Sequence, residues 1–454
     1  MNDEIAMKND ELPDSWIRAP FSSVTVDPIQ RVPSEKEKIT YIDIGSVDRD
    51  TKTIVEPQSM LGKDAPSRAR KVIQAGDVLV STVRPNLNAV AVVESQYDGQ
   101  FASTGFDVLR SPVVDPRWLF YAVRTPEFLD RMSELVQGAL YPAVRSKDIR
   151  SFVIPIAPLA EQKRIADKLE AVLGRVDACR ARLDRVPALL KRFRQSVLAS
   201  ATSGGLTAEW RISKSVNDEW ENLKLGQLVA EPLRNGKSVR DGKGIPVLRL
   251  TALRGGKFDW REAKQGDWTG LDPTRFFVKD GDFLIIRGNG SQDLVGRGCL
   301  AENPPDEMAF PDTLIRIRPD KDKLLPPYLV IVWNTSDVRS QIEQAAKTTT
   351  GLWKVAQGDL ESISIPLPPL PEQQEIVRRV EALFAMADRI EVRLANAQKT
   401  VERLTPATLA KAFRGELVPQ DSNDEPASAL LKRFCGSESA TPQKKSQRKA
   451  AKSA

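Results

Sequence analysis

The feature that most limits how this chain can fold is an internal repeat. Residues 154–206 match residues 365–417 at a constant offset of 211 without a gap, and 18 of the 53 positions are identical. Identical pairs include Ile154/Ile365, Pro155/Pro366, Pro158/Pro369, Leu159/Leu370, Glu161/Glu372, Gln162/Gln373, Asp177/Asp388, Arg182/Arg393 and Gly204/Gly415. Chance similarity does not hold register that long, so the chain contains the same structural unit twice.

Each copy reads as a long helix. Prolines end an extended lead-in, and Glu161 or Glu372 suits the positive end of the macrodipole at a helix start. Apolar residues then recur at steps of four and three: Ile165, Leu169, Val172, Val176, Cys179, Leu183, Val186, Leu190, Phe193 and Val197. The second copy continues the pattern with Ile376, Val380, Leu383, Ala387, Ile390, Leu394, Ala397, Val401, Leu404 and Thr408. A stripe this long is a coiled-coil seam, so these helices need long partners. Pro187 and Pro406 each remove a helix hydrogen bond and are expected to kink or restart their helices. About 40 helical residues at 1.5 Å each make a rod of roughly 60 Å.

The stretches ahead of the helices are faintly related to each other. Trp16 and Trp220 open them, Gly76-Asp77 answers Gly281-Asp282, and Leu109-Arg110 answers Ile315-Arg316. Short alternating runs broken by Gly, Asn and Pro read as β-rich units. The fold expected is therefore α+β: two β-rich domains separated by two long antiparallel helices, with a pseudo-two-fold repeat. Its boundaries are 1–153 for the first β-rich domain, 154–206 for the central helix, 207–364 for the second domain and 365–420 for the distal helix. Residues 421–454 form a basic tail expected to be disordered. A β-rich head at each end of the helix pair would match duplex DNA, whose equivalent grooves recur about every 34 Å.

Composition narrows the chemistry. The chain has 454 residues and no histidine, which removes the usual general base, the common nucleophile pairs and imidazole metal ligands. Its three cysteines, Cys179, Cys299 and Cys435, lie far apart, so neither a disulfide framework nor a thiolate metal site is suggested. No metal site is expected. Apolar runs are too short to cross a bilayer and the first residues lack a leader pattern, so a soluble cytoplasmic protein is expected. The net charge of +6 comes almost wholly from Lys444, Lys445, Arg448, Lys449 and Lys452. Any DNA binding must therefore come from local clustering.

The runs Ile365-Pro366-Leu367-Pro368-Pro369-Leu370-Pro371-Glu372-Gln373, Leu409-Ala410-Lys411-Ala412-Phe413-Arg414-Gly415-Glu416-Leu417 and Leu190-Lys191-Arg192-Phe193-Arg194-Gln195 closely resemble the specificity subunit of type I restriction-modification systems. The resemblance covers nearly the whole chain. It implies a non-catalytic subunit whose two target-recognition domains each read half of an asymmetric, bipartite site in double-stranded DNA. The helices would set the unread gap and dock two modification subunits. The resemblance also places adenine methylation with S-adenosylmethionine, and ATP- and Mg-dependent cleavage, in partner modification and restriction subunits, leaving this chain without a cofactor. A tandem coiled-coil scaffold that binds only proteins is the competing reading, and a self-contained methyltransferase-nuclease a distant third.

Catalytic motifs are near misses. Asn303-Pro304-Pro305-Asp306 lacks the aromatic that stacks on a flipped base, and Leu325-Pro326-Pro327-Tyr328 lacks the polar partner. Asn235-Gly236-Lys237-Ser238 is similar to the end of a phosphate-binding loop, but Glu231 stands where phosphates would approach. No catalytic residue is assigned. For DNA, each Gly-Asp turn and strand leads to polar readers: Arg84, Asn86 and Asn88 in the first unit, and Arg287, Asn289, Ser291 and Gln292 in the second. Arg pairs with guanine and Asn or Gln with adenine in the major groove. A second loop precedes each helix, with Tyr141, Arg145 and Lys147, and with Lys347, Thr349, Trp353 and Lys354, better suited to phosphates. The helix-pair seam is assigned to Ile165, Leu169, Val172, Val176, Leu183, Leu190, Phe193, Ile376, Val380, Leu383, Ile390, Leu394, Val401 and Leu404.

Overall fold

The structure is a computed structural model, and it describes residues 12–136, 140–216, 219–254, 256–349 and 351–438. The chain divides into two compact units, residues 1–183 with 396–454, and residues 184–395. The repeat helices are shared out between them. In the first copy one helix spans Leu159–Leu183 and another Val186–Thr202. The second copy is a single helix, Leu370–Phe413, of 44 residues.

The two prolines act differently. Pro187 sits in the first turn of a restarted helix, where its missing N–H has no partner to lose. Pro406 lies inside the 44-residue helix, which continues past it. There the Thr408 hydroxyl donates to the Leu404 carbonyl at 2.7 Å.

Within each unit the helices run antiparallel. In the first, Ile165, Ala166 and Leu169 share a core with Leu409, Ala412 and Phe413, so a helix start meets a helix end. In the second, Val197, Leu198 and Ala201 share a core with Ile376 and Val380. Most predicted seam positions are buried or half-buried, including Ile165, Leu169, Val176, Leu190, Ile376, Val380 and Leu394, with Val172, Leu183, Phe193, Leu383, Ile390 and Val401 only partly covered. Leu404 is not a seam residue: it is 42% exposed. A strict heptad pattern drifts on a straight helix, and 28 residues after Ile376 it has rotated by about 80°. The buried face passes instead through Leu409 and Ala412. Cys179 is likewise exposed, and Leu173 takes the buried position that the stripe gave to Val172.

In the first unit, strands Gln58–Leu61, Lys38–Ile42, Phe101–Ser103 and Ala69–Val72 form one sheet in that order. Val90–Val92, Val78–Ser81 and Phe106–Leu109 form another. In the second unit the main sheet runs Val229–Asn235, Leu314–Pro319, Phe283–Ile286 and Gly298–Leu300. The wholly buried strands Val78–Ser81 and Phe283–Ile286 are counterparts. Before each, an aspartate closes the turn: Asp77 accepts from the Gln74 amide at 2.8 Å, and Asp282 from the Lys279 amide at 2.7 Å. Arg110 clamps Asp77 at 2.6 Å and Arg318 clamps Asp282 at 2.7 Å. Leu109-Arg110 therefore corresponds to Ile317-Arg318, not to Ile315-Arg316. The sequence comparison slipped by two residues, one pleat repeat, which preserves the buried face and so leaves the hydrophobic pattern unchanged.

Each unit is pinned to the start of its long helix by the repeated Glu-Gln pair. Glu161 accepts from Trp16 Nε1 at 2.8 Å and from Gln420 Nε2 at 2.5 Å. Glu372 accepts from Trp220 Nε1 at 3.0 Å and from the Thr207 hydroxyl at 2.6 Å. Gln162 accepts from the Asp115 amide at 3.0 Å and Gln373 from the Leu325 amide at 2.9 Å. Both glutamates lie in the first turn of their helices, as the macrodipole favours, and they are also buried, at 1% and 0% exposed.

The segment after each helix is needed for this. Gly204 and Gly415 both have φ of 77°, the left-handed conformation that ends a helix, and each turn delivers the next segment to a buried glutamate. Residues 421–438, expected to belong to a disordered tail, are ordered. A helix spans Ala427–Glu438, the Ala427 amide donates to Ser15 O at 3.0 Å, and Leu430 and Phe434 are buried. Its apolar face, Ala427, Leu430, Leu431 and Phe434, outweighs the low overall hydrophobicity that suggested disorder. The basic residues from Lys444 onward lie outside the described residues.

Glu161→Ala leaves the buried Trp16 Nε1 donor unpaired and is expected to cost about 1–3 kcal/mol of first-unit stability in guanidinium titration. Burial raises the Glu161 pKa, against the pull of Trp16 and Gln420. The folded state therefore favours the neutral acid. Its contribution to stability is present at low pH and declines as pH climbs from the unfolded carboxyl value of about 4.3 through the folded one. Glu161→Gln, which stays neutral, is expected to flatten that decline when the titration is repeated between acid and neutral pH.

Candidate DNA-recognition surface

The two predicted loops come together in the first unit. After strand Val78–Ser81 the chain turns so that Val83 bridges Ala143, and the Arg84 amide donates to Pro142 O at 2.8 Å. Arg84 and Asn88 both sit in the left-handed region, at φ of 49° and 46°, around the short turn Pro85–Leu87. A left-handed arginine is strained, and such strain concentrates at functional loops. Arg84, Asn86, Tyr141, Arg145 and Lys147 are exposed, Tyr141 by 87%. Beside them lies a groove of about 450 Å³ lined by Arg49, Arg68, Arg84, Leu87 and Tyr141.

Arg49 and Arg68 escaped the sequence reading because they belong to loops remote from the Gly-Asp turn, and no local motif marks them. Arg145 is partly committed: it pairs with Asp148 at 3.1 Å, and this contact lowers the Asp148 pKa. Asn88 is not a reader. It is 9% exposed, and its Nδ2 donates to Val123 O at 2.8 Å. Asparagine was selected there by a left-handed backbone and a buried carbonyl rather than by a base edge. Lys52, whose amine burial brings down to about 8, supports the same turn by donating to Asn88 O at 2.6 Å.

The second unit builds the counterpart as a small sheet. Strand Gly288–Asn289 pairs with Leu352–Lys354, which pairs with Lys347–Thr349, so Asn289 and Thr348 both face Trp353 across the ladder. The Val355 amide donates to Arg287 O at 3.0 Å. Ser291, Lys347 and Lys354 are exposed, while Arg287, Asn289, Gln292 and Trp353 are half-buried. Asn289 Oδ1 accepts from the Ser291 amide at 3.0 Å, and Gln292 Nε2 donates to Glu343 O at 3.3 Å, so both side chains spend part of their bonding on the turn. Arg287 donates to Asp312 O at 3.4 Å, leaving most of its fork free. Thr349 is placed by its backbone pairing to Leu352, and Thr350 lies outside the described residues.

The near-miss motifs have structural uses. Tyr328 is fully buried and its hydroxyl donates to Pro366 O at 2.8 Å, matching Trp118, whose Nε1 donates to Pro155 O at 3.0 Å. The Lys237 amide, which a phosphate loop would aim at its ligand, donates to Phe310 O at 3.0 Å. Cys299 is buried, which pushes its thiol up to about 11, the behaviour of an inert core thiol. Among the described residues there is no cluster of three metal-ligating side chains, and no helix is long and apolar enough to cross a membrane.

The fold is thus a duplicated one, two β-rich units on paired helices, each presenting the same pair of joined loops with arginine, amide and aromatic side chains. Residues 28–187 and 217–397 match the type I restriction modification DNA specificity domain. The chain is 34% identical to the type I restriction enzyme EcoKI specificity subunit of Escherichia coli strain K12, over 98% of this chain and all of that one. It is 32% identical to the StySPI specificity subunit of Salmonella potsdam, again over 98% of this chain and all of that one. Among solved structures, the HsdS subunit from Thermoanaerobacter tengcongensis superposes with a TM-score of 0.66 at 27% identity, over 89% of this chain and 98% of that chain. The chain belongs to the type I restriction-modification specificity-subunit family. Its two matched segments are DNA specificity domains of that family, and the protein-only scaffold reading is set aside.

Because Asn88 serves the fold, Asn88→Ala is expected to lower the first unit's stability by about 1–3 kcal/mol. DNA affinity of the assembled, folded complex should be unchanged, as checked by thermal melting beside a binding titration.

Proposed function

We propose that each β-rich unit reads one half of a two-part DNA site through its joined loops: Arg84, Asn86 and Tyr141 in the first unit, and Arg287, Asn289 and Trp353 in the second. The observation that carries this reading is the recurrence of one architecture with different side chains at its tip. The Val83–Ala143 bridge and the Gly288–Lys354 pairing occupy equivalent places after equivalent strands. Equal scaffolds with unequal tips suit an asymmetric site. Lys147, Lys347 and Lys354 hold phosphates on either side of the bases read, and Arg145 and Ser291 flank them. The boundaries between recognition domains and helices fall near 153, 206 and 364. The helices fix the unread gap and carry the modification subunits. S-adenosylmethionine, ATP and magnesium act in those partners, and the complex works in the cytoplasm, where it meets chromosomal and incoming DNA.

Arg287→Ala is expected to cost about 1–3 kcal/mol of specific binding and to relax one base of the second half-site. Lys354→Ala is expected to weaken all sequences alike and to flatten the salt dependence by about one unit of slope. Titrations of the complex on specific and scrambled duplexes at two salt concentrations measure both. Unchanged affinity in both variants would discard these residues as the reading surface.

A further inference from the structure

The segment 235–243 of the second unit has no role in the surface described so far, yet it is built tightly against it. A Cβ on Gly236 would fall 2.2 Å from Pro311 O and 2.3 Å from Phe310 O, so only glycine lets the strand pass this close. That approach brings the exposed Ser238 to the exposed Asp312, whose carboxylate accepts a hydrogen bond from the Ser238 hydroxyl. Asp312 is also next to the proposed reader Arg287: the Arg287 guanidinium donates to the Asp312 backbone carbonyl, and the Arg287 amide donates to Thr313 O at 2.8 Å. The rest of the loop is cationic. Lys237, Arg240 and Lys243 are exposed, and the acid among them, Asp241, is neutralised by Lys264 at 2.8 Å.

A carboxylate at the centre of such a surface opposes phosphate binding, so it is out of place unless it faces something that donates. In the major groove the donors are the amino groups of cytosine and adenine, and aspartate accepts readily from cytosine N4. Ser238 occupies one carboxylate oxygen, which fixes the direction of the other. Arg287 alongside supplies the donors that guanine O6 and N7 require. We propose that Asp312, oriented by Ser238 on the loop seated by Gly236, is a base-reading residue that accepts the amino group of a cytosine. Lys237, Arg240 and Lys243 grip the adjoining phosphates. This rests on the proposed reading surface around Arg287 and extends it to a third loop.

The test is methylation mapping. Asp312→Asn, Arg287→Ala and the unaltered chain are each expressed with the partner modification subunits in a host without adenine methylation of its own, and the methylated motifs are compared. Asparagine still accepts from Ser238 but offers an amide donor to the base, so a purely structural role would leave the motif intact. Asp312→Asn is expected to relax or change one position, within a base pair of the position relaxed by Arg287→Ala, with discrimination there falling about tenfold. The other half of the motif should be unchanged. A Lys237→Ala, Arg240→Ala, Lys243→Ala triple variant should keep the motif while its salt slope drops by about two to three units. An unchanged motif for Asp312→Asn beside a relaxed one for Arg287→Ala overturns Asp312 as a reader and leaves the reading surface standing. Unchanged motifs for both overturn the surface as well. A triple variant with unaltered affinity and slope overturns the phosphate grip.

Discussion

The arrangement depends on a carboxylate buried at the start of each long helix. Glu161 and Glu372 would be costly in an apolar interior, and each is satisfied by a tryptophan N–H from the beginning of its own unit and by a polar group from the segment that follows a helix. A buried, hydrogen-bonded carboxyl group tolerates few alternative partners. It therefore fixes which tryptophan, which helix turn and which returning segment meet, where a purely hydrophobic contact would accept several registers. Gln162 and Gln373 finish the joint by taking backbone amides from the loops ahead of the Trp118 and Tyr328 helices.

From that joint the recognition loops inherit their position. In each unit an aspartate–arginine clamp holds the turn before a wholly buried strand, and the strand runs out into polar residues that are exposed in the first unit and half-buried in the second. The buried strand supplies rigidity and the exposed end supplies variation. A left-handed Arg84 in one unit and a small three-stranded sheet in the other are two local solutions to the same demand, which is to aim polar side chains outward from a fixed point. The structural supports and the exposed tips are different residues, so sequence at the tips can change without disturbing what holds them.

Legibility in the sequence followed the range of the physics. The helices and their seams were readable because periodic burial repeats over many turns, and the drift that exposes Leu404 is the error expected when a fixed heptad is laid on a straight helix. The Glu-Gln pair was visible as a repeated motif, but its purpose was not, since its partners lie 145 and 259 residues away for Glu161 and 152 and 165 residues away for Glu372. The readers were partly legible. Loops following a Gly-Asp turn were found, while Asn88 was misjudged because its burial comes from the Val123 carbonyl 35 residues further on.

What the sequence by itself determined is the duplication: two β-rich units, two long helical segments, a chain without histidine chemistry, and a resemblance strong enough to imply DNA recognition. These are encoded in local patterns and in a register held across an offset of 211 residues. Only the tertiary structure decided which polar residues are supports and which are free. Arg49 and Arg68 line the groove beside Arg84, Asp312 lies against Arg287, and Asn88 is tied to the Val123 carbonyl, all through contacts between distant segments, and such contacts leave no periodic trace along the chain.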